Sequence, residues 1–258
     1  MSQPPLPLNA WLRYDLVQMV LRRLGRDVTS VLEVGAGEGA VGVRLASRYD
    51  YTAVEPDPLA FERAAARLRK VGRGEIVLGD ISALSPDPVF DLLCSFEVLE
   101  HLEDDAGALT EWRRRVREGG WILVSAPAHR SRFGSHDRIV GHHRRYDPDD
   151  MARLLETAGL VDPVVLTSGF PFGYALEVGR NAIGRLASAR GEHSPAEQTA
   201  SSGRWLQPPD GIGWLTAGIA APFRVLQRPF ARTGLGTGIV ALARVPRAPA
   251  PVGSGSGC

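Results

Sequence analysis

The sequence predicts an α/β fold, a doubly wound and mostly parallel sheet with helices on both faces. Three observations carry that reading. Short apolar runs rich in β-branched residues alternate with stretches of helical spacing along most of the chain. The run Phe90–Phe96 is almost wholly apolar, as a central strand buried on both faces should be. Val31-Leu32-Glu33-Val34-Gly35-Ala36-Gly37-Glu38-Gly39, followed by apolar residues at helical spacing, reads as strand, tight glycine loop and helix.

The elements follow in order. Within residues 1–27, Leu8–Leu24 sets Trp11, Leu12, Leu16, Val20, Leu21 and Leu24 on one side, with Arg13, Gln18, Arg22 and Arg23 between them. This is an amphipathic helix that covers one end of the sheet or a ligand. Strand one is 31–34, and a helix runs from it to about residue 47. Strand two, 51–54, ends in Glu55-Pro56-Asp57-Pro58, where proline opens a helix to about Lys70. Glu75–Leu78 is strand three, closed by Gly79-Asp80-Ile81, and Phe90–Phe96 is strand four. Residues 97–105 form a turn or short helix, 109–117 a helix, and Gly119-Gly120 punctuates before strand five at 121–125. A loop over 128–146 leads to Asp147-Pro148, read as N-cap and first position of a helix to about Ala158. Residues 164–166 and 239–243 are the last strands. Residues 28–168 thus form the core, and 236–245 returns its final strand. Between them, 169–235 is an insert: a helix over 174–186, a flexible polar run over 192–209, and an apolar, basic stretch over 212–230. Residues 246–258 read as a disordered tail.

Composition sets limits. At 258 residues, 44% hydrophobic and 23% charged, the chain is one globular domain, or one domain with an insertion. A net charge of +1 gives no reason to expect nucleic acid. Cys94 and Cys258 make neither a disulfide framework nor a metal-binding pair. The start lacks a basic region followed by an apolar core, and no run reaches membrane-spanning length, so the expected location is cytoplasmic.

The glycine loop asks which ligand it serves. Gly35, Gly37 and Ala40 satisfy a dinucleotide pattern, and Glu55 lies where a ribose-binding acid is expected. Glu33 argues against a dinucleotide, because a carboxylate beside the loop would repel a pyrophosphate and attract an ammonium group. S-adenosylmethionine (SAM) has that ammonium, and its carboxylate suits the N-terminus of the following helix.

With these motifs in sequence, the chain resembles the class I SAM-dependent methyltransferases over residues 28–168 and again at the final strand. Glu33-Val34-Gly35-Ala36-Gly37-Glu38-Gly39 matches the family's first motif, Glu55 the acid after strand two, and Asp80 the acid after strand three. Phe90-Asp91 through Glu97 matches the fourth-strand motif, and Gly119-Gly120-Trp121-Ile122-Leu123 the turn into strand five. The resemblance implies a Rossmann-like, mostly parallel seven-stranded sheet with its last strand antiparallel and a helical insert before that strand. It also implies SAM as cofactor. Gly35, Ala36 and Gly37 would pack along it, Glu33 would hold its amino group, and Glu55, beside Pro56, would take the ribose hydroxyls. Asp80 and the Ile81 backbone would meet adenine, and Phe96 and Glu97 would border the methionine end.

The run Glu97-Val98-Leu99-Glu100-His101-Leu102 is similar to that of ubiquinone-type O-methyltransferases and small-RNA 2′-O-methyltransferases. If helical, it sets Glu97, Glu100 and His101 on one face. In those groups such residues bind a divalent metal, with His142 here standing for a further ligand. The alternative is that Glu97 contacts SAM while His101 packs or moves a proton. Five of the six histidines, His101, His129, His136, His142 and His143, fall after strands four and five, where a methyl acceptor should arrive. His101, His129 and His142 are the catalytic candidates; His136 and His143 read as exposed loop residues. His136-Asp137-Arg138 with 141–146 is similar to a bacterial methyltransferase subgroup associated with glycan, lipid or natural-product pathways.

The expected function is SAM-dependent methylation of a hydroxyl, less readily a nitrogen or carbon, on a small-molecule, natural-product, glycan or lipid-linked acceptor. A SAM-binding protein catalysing a non-methylating reaction, or a membrane-docking protein with vestigial cofactor binding, are the alternatives. The stretch 212–230 is expected to be a lid hinged by 192–209, a peripheral membrane contact, or plain packing. Gly213, Gly218 and Pro222 argue against one straight helix there. The oligomeric state is not legible.

Overall fold

The computed structural model describes residues 3–87, 89–189 and 213–247. Its strands are β1 (Ser30–Val34), β2 (Asp50–Glu55), β3 (Glu75–Leu78), β4 (Phe90–Phe96), β5 (Val116–Pro127), β6 (Val161–Ser168) and β7 (Gly238–Arg244). They form one sheet in the order β3-β2-β1-β4-β5-β7-β6. β1 lies parallel to β2 and β4, whereas β7 runs antiparallel to both β5 and β6. The expected seven-stranded sheet with an antiparallel last strand is therefore present. The chain reverses its direction of winding between β1 and β4, and a crevice opens beyond their carboxyl ends.

Alternate residues of each strand feed opposite faces. Val31, Leu92, Cys94 and Leu123 pack with Leu16, Val17, Val20 and Leu21 of α1 (Leu8–Leu24) and with Leu45 of α2 (Gly42–Ala46). Leu32, Leu93, Ile122 and Val124 pack with Leu109 and Trp112 of α4 (Asp105–Arg113) and with Met151 and Leu155 of α6 (Pro148–Thr157). Between α2 and α4 lies α3 (Pro58–Val71), opened by Asp57, whose side chain accepts from the Ala60 amide at 2.7 Å. Both faces of the central strands are covered, which is why they are mostly apolar.

Several expected boundaries move. α2 begins only at Gly42, because the glycine loop takes its own turn first. α4 begins at Asp105, where Asp104 caps the Gly107 amide at 2.8 Å, and ends before Val116. Gly119-Gly120 then lies inside β5, at a register shift against β4, rather than ahead of the strand. A Cβ at Gly120 would lie 2.8 Å from the Asp91 carbonyl, so the glycine serves close strand approach rather than a turn. Asp147 precedes α6, but its side chain accepts from the Arg130 amide at 3.3 Å instead of capping the helix. The loop over 128–146 contains a short helix, α5 (Ser135–Ile139).

The insert holds α7 (Phe172–Ala189) and α8 (Gly213–Leu226). α8 is one helix through Gly218 and Pro222, against the expectation from propensity. Tertiary contacts supply what propensity withholds. Phe223 stacks on Phe172 at 4.0 Å, Trp11 Nε1 donates to Thr216 at 3.3 Å, and Gln227 Nε2 donates to the Leu12 carbonyl at 2.8 Å. Arg228 donates to both carboxyl oxygens of the buried Asp15, at 3.0 and 2.8 Å. The hinge expected over 192–209, His193, Ile212, the Trp214 side chain, residues 248–258 of the tail, and Cys258 lie outside the described residues. Among the described residues, no helix is long and apolar enough to cross a membrane.

Asp15 is the polar latch between α1 and the end of α8. Asp15→Ala should lower unfolding stability by about 1–3 kcal/mol, a value discounted because half-exposed Arg228 is partly screened. Urea unfolding measures it; an unchanged midpoint would mean that apolar packing alone holds α1.

Candidate active site

A cavity of 680 Å³ opens at the carboxyl ends of the central strands. Its walls come from the first turns of α1, the glycine loop, the ends of β1 to β4, α4, the 128–146 loop and α7. All ten residues expected at the cofactor, Glu33, Gly35, Ala36, Gly37, Glu55, Pro56, Asp80, Ile81, Phe96 and Glu97, line it. α1 covers this cavity as well as packing on the sheet.

At one end the glycine loop turns away from β1. Gly35 and Gly37 have φ of +75° and +55°, and a Cβ on Gly35 would lie 2.5 Å from Val98. Only glycine meets both demands there. Glu55 holds the loop: Oε2 accepts from the Gly37 amide at 2.7 Å and Oε1 from the Asp57 amide at 2.9 Å. Each oxygen keeps a second lone pair. Burial raises the Glu55 pKa against these two bonds. Glu33 is buried and accepts from the Tyr51 hydroxyl at 2.5 Å. Burial, opposed in part by this bond, pushes its pKa from 4.5 to about 8. Gly42 covers the pair, since a Cβ there would collide with the Tyr51 hydroxyl. Asp80 is more open; its Oδ1 accepts from the Ser82 hydroxyl and amide, and these bonds lower its pKa.

Glu97 departs from the expected arrangement. Its φ is +59°, and only Leu99–His101 forms a helical turn, so Glu97 does not share a face with Glu100 and His101. Ser125 Oγ donates to Glu97 Oε1 at 3.0 Å, and Arg13 pairs with Oε2 at 3.1 Å, which fastens α1 to the end of β4.

The other end is built from histidines. His101 and His142 line the cavity with ring centroids 4.7 Å apart. His142 Nδ1 lies 2.8 Å from Asp137 Oδ1. Burial alone would raise Asp137, but bonds from His142, Arg145 and Gly134 hold it well below the usual carboxylate range. As a carboxylate it accepts from Nδ1–H, which leaves His142 Nε2 as the acceptor. Burial, then His142, lower His101 from 6.5 to about 4, so it is neutral at neutral pH. His129 is corrected: its Nε2 lies 2.9 Å from the Gly236 carbonyl, its Nδ1 3.7 Å from Asp147, and it does not line the cavity. His136, set aside in the sequence, does line it, and burial lowers its pKa to about 4.

Sequence reasoning missed the network beneath. Arg145 is bidentate to Asp137, at 2.9 and 2.8 Å, and also reaches Glu177 on α7, which pairs with Arg132. A loop dense in charge reads as solvated; its single acid, Asp137 among five arginines, was the only cue. Of the three readings of 212–230, the lid finds no support: no described residue of that stretch lines the cavity, and the insert contributes Gly169 with Gly173 and Arg180 of α7 instead.

Glu100 is fully buried, with neither carboxyl oxygen hydrogen-bonded. Burial and then Glu97 raise its pKa well above 4.5. Its oxygen and one nitrogen each of His101 and His142 lie within 4.8 Å of one another. This donor set fits a divalent cation. Glu97, engaged by Arg13 and Ser125, is not part of it.

The Glu33 pKa has a consequence for stability. Its folded value lies above the unfolded one, so between pH 4.5 and about 8 the folded protein keeps a proton that the unfolded chain releases. This contribution is present below that window and is lost as pH rises through it. Glu33→Gln keeps an acceptor for Tyr51 and removes the titration. From roughly pH 5 to 8.5, the wild type should lose on the order of 3–4 kcal/mol more stability than the variant. Parallel denaturation curves would show Glu33 ionised throughout.

Residues 32–124 match the family model described as a methyltransferase domain. A Mycobacterium tuberculosis protein named a probable SAM-dependent methyltransferase is 32% identical over 160 residues, 60% of this chain and 57% of its own length. The chain thus spans little more than half of that relative. The fold is similar to that of Haemonchus contortus phosphoethanolamine N-methyltransferase 2 in complex with SAM, with a TM-score of 0.57 and 18% identity over 92% of this chain and 53% of that one. It is also similar to the [4+2]-cyclase SpnF, with a TM-score of 0.54 and 20% identity over 95% of this chain and 98% of that one. The motif order, the sheet topology and these matches agree in likening the chain, over residues 32–124 above all, to SAM-dependent methyltransferases.

Proposed function

We propose that the protein transfers a methyl group from SAM to a hydroxyl of a small-molecule, natural-product, glycan or lipid-linked acceptor. One observation carries this reading: a single cavity joins the acids Glu33, Glu55 and Asp80 to a histidine oriented by a buried carboxylate. In it, Glu33 meets the cofactor's ammonium group, Glu55 its ribose hydroxyls and Asp80 its adenine. Methyl transfer from a sulfonium is an in-line displacement on an activated carbon, so the protein supplies alignment and a base. His142 Nε2 takes the acceptor's hydroxyl proton as oxygen attacks the methyl carbon. Asp137 holds the tautomer and stabilises the imidazolium that forms. His101 and His136, both neutral, border the acceptor. The lipid-linked option draws support from the outer face of α8, where Leu215, Ile219 and Val225 are exposed.

Methyl transfer from labelled SAM to a panel of hydroxyl compounds tests the reading. His142→Gln should lower kcat about 10²–10⁴-fold while leaving S-adenosylhomocysteine (SAH) affinity unchanged. Asp137→Asn should act in the same direction. Full turnover in a folded His142 variant would remove the base from this account.

A second reading is favoured by Glu100, whose buried oxygens lack partners. Here Glu100, His101 and His142 would hold a divalent cation, which would supply Lewis-acid polarisation of an acceptor oxygen. His142 Nε2 is then a ligand instead of the base. Titrating EDTA-treated protein with manganese or zinc should raise its melting temperature in this case, and Glu100→Gln should abolish the rise. No rise, with activity surviving EDTA, leaves the metal-free mechanism.

A further inference from the structure

Arg180 projects from α7 into the wall of the cavity at its histidine end. Its Nε is buried and has no hydrogen-bond partner. The acids that could neutralise it are already committed. Glu177, one turn earlier on the same helix, is held by Arg132 and Arg145. Asp137 is taken by Arg145 and His142, and Glu97 by Arg13 and Ser125. Its position is also braced. The neighbouring Asn181 accepts from the His136 amide at 3.2 Å through its side chain and from Ser135 Oγ at 3.0 Å through its carbonyl. A buried guanidinium whose Nε lacks a partner, and whose nearby acids Glu97, Glu177 and Asp137 are each paired elsewhere, burdens a fold that gains nothing from it.

We infer that Arg180 docks an oxyanion, a carboxylate or a phosphate, carried by the methyl acceptor. This rests on the methyl-transfer reading above. Guanidinium offers a fork of donors that matches either group, and water exclusion strengthens the pairing. SAM has a carboxylate of its own, but Arg13 is the cation at that end. Arg13 pairs with Glu97 at 3.1 Å, whereas Arg180 adjoins Asn181, whose side chain holds the His136 amide. An acceptor anchored at Arg180 would present its hydroxyl among His136, His101 and His142. The site therefore selects acidic acceptors over neutral ones.

The test titrates SAH-loaded protein with inorganic phosphate and, separately, with acetate, at ionic strength held constant with chloride. Melting temperature reads the binding, since an anion that binds only the folded state raises it. The wild type should show a saturable rise with at least one of them, and the stronger response identifies the acceptor as phosphorylated or carboxylic. Arg180→Gln should weaken that binding about tenfold or more. It should leave SAH affinity intact and be no less stable than the wild type without anion. Arg180→Lys should keep part of the response. The inference is overturned by absence of a rise in the wild type, by an equal rise in Arg180→Gln, or by loss of SAH affinity in that variant. Failure of the wild type to bind SAH would instead sink the methyl-transfer reading. The anion titration, repeated on ligand-free protein, would still decide the role of Arg180 in binding.

Discussion

The site depends on β1 lying parallel to β2 on one side and to β4 on the other. That pairing sets Glu33 opposite Ala53 and Cys94, so three strand ends release their chains at one place. The loop leaving β1 is then bound back to the sheet, with the Gly35 and Ala36 amides both donating to the Val54 carbonyl, at 2.9 and 3.2 Å. Glu55, the last residue of β2, completes the hold through the Gly37 amide. A loop anchored at both its neighbours is rigid before any ligand arrives, so binding need not order it.

Much of the fold was legible because its causes are local. Strand periodicity, Pro58 at a helix start and the glycine loop are each written in a few adjacent residues, and each appears where expected. The acids at 33, 55 and 80 were legible as a set because consecutive parallel strands must end on one edge. What escaped had causes remote in sequence. Gly119-Gly120 has the composition of a turn, but the approach of Asp91 in the neighbouring strand makes it a strand irregularity. Pro222 sits within α8 because Asp15, Leu12 and Phe172, all far along the chain, hold that helix in place.

The histidine end illustrates the same limit in electrostatic terms. His129 and His142 are alike as residues in a basic loop. They differ because His142 finds Asp137 while His129 spends its Nε2 on the Gly236 carbonyl, in the turn before β7. Whether a histidine is a base or a brace depends on the partner of its second nitrogen, which sequence spacing does not specify. Asp137 in turn owes its charge to Arg145, and Arg145 owes its burial to Glu177 on α7. The insert therefore supports the site through a chain of ion pairs from below, a role different from that of a cap over the strand ends.

The cavity is also where the fold leaves polar groups unsatisfied. Among described residues, Arg44 and Arg224 have a buried Nε without a partner, yet other atoms of their guanidinium groups are bound to Ala40 and Pro4, or to Asp15. Glu100, His101 and Arg180 are different, since they gather around one end of one cavity. Glu33, at the other end, is buried with a hydrogen bond from Tyr51, and burial keeps it protonated up to about pH 8. A fold stabilised for its own sake would replace such groups with apolar ones. They change in kind along the cavity: an acid at the glycine loop, acid and imidazole beneath its far end, and a guanidinium at that same end. A ligand set that satisfied this pattern would carry an ammonium at one end and an oxyanion at the other, with the reacting oxygen between them.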